Sequence, residues 1–248
     1  MKKTKGKRKR RIATVIIILL ILIIVGGAAY YYFSQSSETN TSEDYEAQTQ
    51  IYSSVKPSGE ESDEVNLLAD AQAINPQTVA WLNIPDTAID FPVMQCEDNS
   101  YYLKHSFEGD YSVYGCPFLD YRNSSDFTDF NSIIYGHNYS NKYIFAPLLN
   151  FKNQTYFNEH PTGTLTLERE IKTISFIACA VVESDAFVYS VVHPAKSDRE
   201  TYLEMLSDVA ICKTDFEPSE LTEENLVVLS TCTRDSNDSR TILVGYLE

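Results

Sequence analysis

A mainly β domain, eight short strands closed into a barrel or layered as a sandwich, is the fold class this sequence predicts. Three observations carry it. From residue 79 to the C-terminus, short β-like segments alternate with turn signals. Only two helical patterns interrupt them, and no internal repeat is visible. The 248 residues are 43% hydrophobic and 12% aromatic, enough for a sizeable core and incompatible with global disorder.

Residues 1–11 hold eight of the 20 Lys and Arg and no acidic residue. The remainder carries 12 basic against 35 acidic groups, a net charge of −23. So acidic a body repels phosphate backbones, which excludes sequence-independent nucleic-acid binding. Residues 12–33 contain no charge, and 22 residues of helix span about 33 Å, the hydrocarbon thickness of a bilayer. The expectation is a cytoplasmic basic flank (1–11), a transmembrane signal-anchor (12–33) and an extracellular remainder. Tyr30, Tyr31 and Tyr32 stand where an interfacial aromatic belt belongs. A cleaved signal peptide is the competing reading, because Gly26, Gly27, Ala28 and Ala29 are small; the apolar run is long for one. With no second apolar run of that length, the chain reads as single-pass.

Residues 34–64, rich in Ser, Thr, Glu, Asn and Gln, read as a polar spacer with a short helix over 44–55, and 65–248 as the folded domain. Val65, Leu67, Leu68 and Ala71 predict a helix over 63–73, ended by Asn75-Pro76 because the residue before proline is pushed out of the helical region. The predicted strands are 79–84, 89–95, 116–120, 131–137, 163–167, 172–183, 225–233 and 241–247. Helices are predicted over 143–150 and over 198–209, the latter on the stripe Tyr202, Leu203, Met205, Leu206 and Val209.

The chemistry concentrates at strand ends. Alternation puts Val228, Ser230 and Cys232 on one face of one strand, and Ile133, Tyr135 and His137 on one face of another. Arg240 opens the last strand. If these strands neighbour one another, a thiol nucleophile, an imidazole for proton transfer and a guanidinium for a developing oxyanion meet at one rim. The five cysteines (Cys96, Cys116, Cys179, Cys212 and Cys232) include no Cys-x-x-Cys and no zinc-site spacing. An odd count leaves at least one thiol unpaired within the chain, and a Cys96–Cys116 disulfide stays open. Cys232 and His137 lack a third ligand for zinc. The acidic group at 60–64 reads as a solvated face without calcium-ligand spacing. No cofactor or metal is expected. His105, His160 and His193 lack the context that marks His137, and His160 and His193, each followed by proline, read as surface loop residues. Asp235 and Asp238 read as solvating the loop, with orientation of His137 as the alternative.

Tyr135-Gly136-His137-Asn138, Leu229-Ser230-Thr231-Cys232-Thr233 and Arg240 ahead of a terminal strand resemble the signature of sortases, membrane-anchored cysteine transpeptidases of Gram-positive bacteria. Asn75-Pro76 leading to Trp81 and Ile84-Pro85, Ile89-Asp90-Phe91-Pro92-Val93, Tyr101-Tyr102-Leu103 and 118–123 (Phe-Leu-Asp-Tyr-Arg-Asn) are similar to class B members, as is the helix between two late strands. The resemblance spans about residues 65–248. It implies a closed eight-stranded sortase barrel with N-terminal helices. It implies cleavage of a C-terminal sorting signal of secreted proteins after Thr, a thioester on Cys232, and transfer to an amine of a peptidoglycan precursor. It implies Cys232 as nucleophile, His137 as general acid/base and Arg240 as the group binding substrate backbone and oxyanion. Ser230 and Tyr135 match positions lining the peptide groove. The sequence departs from several class B members at Thr233, where they carry an acidic residue; the Cys-to-Arg interval, eight residues here, varies within the class. Three other functions stay open: a pilin polymerase with a pilin lysine as acceptor, a cysteine hydrolase, and a non-catalytic surface binding domain on the same barrel.

Overall fold

The computed structural model describes Ile23, residues 25–27, 43–58, 65–139, 143–193, 195–232 and 238–248. The chain divides into two compact units, Met1–Gln50 and Ile51–Glu248. In the first, the described residues 43–50 are helical. The span predicted over 12–33 lies, but for residues 23 and 25–27, outside the described residues. Among the described residues no helix is long and apolar enough to cross a membrane.

The second unit opens with helical residues 51–55. Tyr52 there is buried edge-on against Trp81, Phe91 and Phe107, with ring centroids 5.8–6.5 Å apart. Among the described residues eleven strands follow: β1 Thr78–Asn83, β2 Asp90–Met94, β3 Phe118–Leu119, β4 Asn131–Tyr135, β5 Asn138–Tyr139, β6 Tyr143–Ile144, β7 Thr162–Thr166, β8 Ile171–Glu183, β9 Ala210–Lys213, β10 Leu226–Cys232 and β11 Ser239–Leu247. The order β11-β10-β4-β3-β2-β1-β7-β8 closes through β11–β8 pairing into an eight-stranded barrel, with β9 added on β8. Closure satisfies the strand edges and removes the hazard of an open sheet. β8 makes it possible by length: its 171–175 segment pairs with β7, 178–180 with β9, and 174–183 with β11 on the other side.

All eight predicted strands are present. The barrel has two faces, and the helix Lys196–Val209 decides which is which. Its Tyr202, Leu203 and Leu206 pack with Ile133, Val228, Ile242, Val244 and Ala180, so that face is external. Leu119, Ile134, Leu229 and Leu243, one residue out of phase and in register across β3, β4, β10 and β11, form the interior and are fully buried. Burial on both faces explains why Leu226-Val227-Val228-Leu229 is uninterrupted hydrocarbon.

Three departures from the sequence expectation have local causes. Of the helix expected over 63–73, residues 63–64 lie outside the described residues and the described part is helical from Ala69 to Ile74, because Asn66 Oδ1 takes the Leu68 N–H (2.9 Å) and Glu168 O takes that of Leu67 (2.7 Å). In place of a helix starting at 143, Tyr143–Ile144 pairs with Asn138–Tyr139 as a hairpin, and a 3₁₀ segment Ala146–Lys152 follows. The helix Gln154–Glu159 carries no strong apolar stripe; its N-terminus is held by Asn153 Oδ1, which accepts from Thr155 and Tyr156 N–H at 2.9 and 3.2 Å.

Candidate active site

β10 lies between parallel β4 and antiparallel β11, and all three reach the same barrel rim. Ser230 is in register with Tyr135 on β4 and with Ile242 on β11, and Cys232 is paired with Arg240. The Gly136 N–H continues the parallel ladder by donating to Ser230 O at 3.1 Å, which carries His137 along the end of β10. Cys232, His137 and Arg240, separated by up to 103 positions in sequence, therefore belong to three neighbouring strand ends.

His137 is shaped from both sides of the chain. A Cβ at Gly136 would fall 2.6 Å from the fully buried Phe145 ring, so only glycine fits directly before it. Phe145 N–H donates to His137 O at 2.9 Å, just after Ile144, whose φ of 56° is a strained value for a β-branched residue. The half-buried imidazole donates from Nε2 to Leu103 O at 2.7 Å.

Tyr135, His137, Ser230 and Arg240 line a groove of about 500 Å³, together with Leu103, Phe118, Arg122 and Tyr189. Its floor is a built polar network. Arg122 grips the buried Asp120 carboxylate through Nε (2.9 Å) and Nη2 (2.7 Å), and Tyr135 OH and Asn99 Nδ2 donate to it at 3.0 and 2.9 Å. Burial raises the Asp120 pKa, but these donors outweigh it and hold the carboxyl below its ordinary range. Burial, then the neighbouring Asp120 charge, pushes the Tyr135 phenol up. Tyr189 stacks on Tyr135 with centroids 6.1 Å apart, and its hydroxyl lies 2.9 Å from Ser230 Oγ. Ser230 is only 2% exposed, so it borders the groove from beneath.

Tyr189, Arg122, Asp120, Asn99 and Leu103 received no role from the sequence. Tyr189 meets Ser230 across 41 positions and Arg122 across 67, and no local periodicity reports such contacts. Thr233 and Asp235 lie outside the described residues, and Asp238 is exposed. Among the described residues His105, His160 and His193 lie away from the groove lining, each with ring partners of its own. Burial pushes the Cys116 thiol up, that of Cys179 to about 12, and that of Cys212 upward as well, so these three behave as core hydrophobes. Among the described residues no group of three or more His, Cys, Asp or Glu could hold a metal ion. A recess of about 590 Å³ near Thr78, Asp126 and Glu168 contains no thiol and no imidazole.

The sortase B of Listeria monocytogenes is 32% identical to this chain over 191 residues, 76% of each protein. The chain belongs to the class B sortases. Solved structures agree. A sortase B of Clostridium perfringens superposes with a TM-score of 0.67 at 29% identity, covering 73% of this chain and 98% of its own. A Streptococcus pyogenes class B sortase involved in pilus biogenesis superposes with a TM-score of 0.63 at 33% identity, covering 73% and 97%. No protein-family model matches the chain. Membership makes this sortase a cysteine transpeptidase of the cell envelope, and it matches the barrel described above.

Proposed function

We propose that the protein cleaves a C-terminal sorting signal of secreted proteins after Thr, holds the acyl fragment as a thioester on Cys232, and passes it to an amine of the peptidoglycan precursor. The observation that supports this most is the ladder register, with Cys232 opposite Arg240 and the Gly136–His137 turn bonded to the end of the same strand.

A free thiol is only about 3% thiolate at pH 7. Arg240 favours the anionic sulfur and then the oxyanion, and His137 takes the thiol proton and returns it to the leaving amine. The thioester separates cleavage from amine attack, so the acceptor need not be present at the first step. The groove of Tyr135 and Ser230 holds the signal peptide. Residues 12–33 anchor the chain in the membrane with residues 1–11 inside and the catalytic unit outside.

Cys232→Ala is expected to abolish turnover of a cleavable sorting peptide while the circular dichroism spectrum stays unchanged; retained turnover sinks the assignment. A peptide-library cleavage assay read by mass spectrometry, with and without amines, identifies the signal. Amide product that appears only with amine supports transpeptidation, and free acid at equal rates in both arms supports hydrolysis. Likeness to the S. pyogenes class B sortase involved in pilus biogenesis favours one second reading, a pilin lysine as acceptor. Competing a pilin domain against a wall-type amine in the same assay separates the two.

A further inference from the structure

The acceptor on His137 is a backbone oxygen, and that fixes the ring chemically. A carbonyl cannot donate, so the 2.7 Å contact between Nε2 and Leu103 O requires the hydrogen on Nε2. A neutral imidazole has one N–H, which leaves the lone pair on Nδ1.

The carbonyl stands on a rigid platform. Leu103 ends the 3₁₀ turn Tyr101–Leu103, whose start is held by Asp98 Oδ1 accepting from Ser100 and Tyr101 N–H at 2.6 and 2.8 Å. The middle residue, Tyr102, is 1% exposed, and its hydroxyl donates to Gln77 Oε1 at 2.6 Å. The returning chain locks the other side: Cys116 N–H donates to Tyr102 O at 3.0 Å, and Ser112 N–H donates to Lys104 O at 2.9 Å. That return is possible only with Gly115, whose φ is +63° and whose Cβ would fall 2.3 Å from Tyr102 O and 3.0 Å from Leu103 O. The segment over 95–116 thus presses one carbonyl against one imidazole. Asp120, the buried carboxylate of the same groove, is committed to Arg122, Tyr135 and Asn99.

We infer that Leu103 O is the positioning group of His137, holding Nε2–H so that proton exchange with the thiol and the leaving amine runs through Nδ1. The inference rests on the acid/base role proposed for His137. In the first half-reaction the thiol proton moves to Nδ1 and gives an imidazolium with both nitrogens protonated. The C–S bond then forms as the peptide C–N bond breaks, and the Nδ1 proton leaves on the amine. Throughout, Nε2–H stays on the Leu103 carbonyl, a bond that strengthens when the ring is charged. The carbonyl takes the place a carboxylate occupies in a Ser-His-Asp triad, orienting the ring and fixing its tautomer.

Long-range ¹H–¹⁵N spectra of the full chain labelled at histidine test this at alkaline pH, where the ring is neutral. The chain has four histidines, and His137→Gln identifies the resonance of interest. A pyrrole-type Nε2 with a pyridine-type Nδ1 is expected. A pyridine-type Nε2, or averaged shifts for the two nitrogens, overturns the inference whatever the activity. In Gly115→Ala, where the Leu103 carbonyl must shift, the expected result is averaged shifts together with at least a tenfold lower kcat and little change in KM for a sorting peptide. Averaged shifts with wild-type kcat overturn it. Full turnover by His137→Gln would instead remove the acid/base role itself, an outcome the tautomer measurement does not share.

Discussion

Asp120 is the residue on which the groove floor depends. Its carboxylate is fully buried, while its partner Arg122 is 40% exposed, so loss of Asp120 leaves a cation that water can partly reach. Asp120→Asn is therefore expected to cost about 2 kcal/mol, below the range for wholly buried pairs, measured by guanidinium unfolding at neutral pH. The pH dependence has a definite sign. The folded-state carboxyl is depressed below its ordinary 3.8, so its stabilisation is complete above that value and is lost as pH falls through the folded value. Wild type should lose stability on acidification below about pH 4, and Asp120→Asn should lose less over that window. Equal acid dependence in the two proteins would remove Asp120 as a contributor. The sequence displayed Asp120 and Arg122 within a family-like motif, but not the bond from Tyr135 OH to Asp120 or the Arg122 contact to Tyr189 O at 3.2 Å. Those contacts follow from closure of the barrel.

Among the elements, the turn from β4 into His137 is the most constrained. β4 runs parallel to β10 up to Tyr135, and the chain must then leave the ladder without leaving the rim. Gly136 does this by lying against the Phe145 ring. Gly136→Ala is expected to cost about 1–3 kcal/mol through overpacking, read from thermal unfolding, and to lower sorting-peptide turnover because His137 shifts with it. An unchanged melting temperature would show that the Phe145 ring yields. Short apolar runs bounded by turn signals made β4 and β10 legible in sequence, since both signals are local. The hairpin of β5 and β6 was not, because two-residue strands have no period to read. β9 was missed for the same reason: its Ala210–Lys213 offers one buried position, Cys212, beside an exposed Ile211.

At the scale of the molecule, the unit that carries the barrel begins at Ile51. Composition places residues 34–64, Tyr52 among them, in a polar spacer carrying a short helix over 44–55. Tyr52 is 3% exposed and covers Trp81, Phe91 and Phe107, and Lys56 Nζ reaches Asp90 Oδ2 at 2.5 Å. Tyr52→Ala in the full chain should cost about 3–5 kcal/mol, as for other buried aromatics; a loss below about 1 kcal/mol would mean this segment is peripheral. The barrel was legible because alternation and length are properties of single strands, and the rim because its three chemical residues close or open strands. Position 232 sits where these scales meet, on the central strand of the three and opposite Arg240. Intact-mass analysis of the full chain incubated with a cleavable sorting peptide tests the account most directly. The expected result is an acyl adduct on Cys232, lost on addition of an amine as an amide product appears. Peptide turnover with no adduct on Cys232, or an adduct that persists in Cys232→Ala, would contradict it.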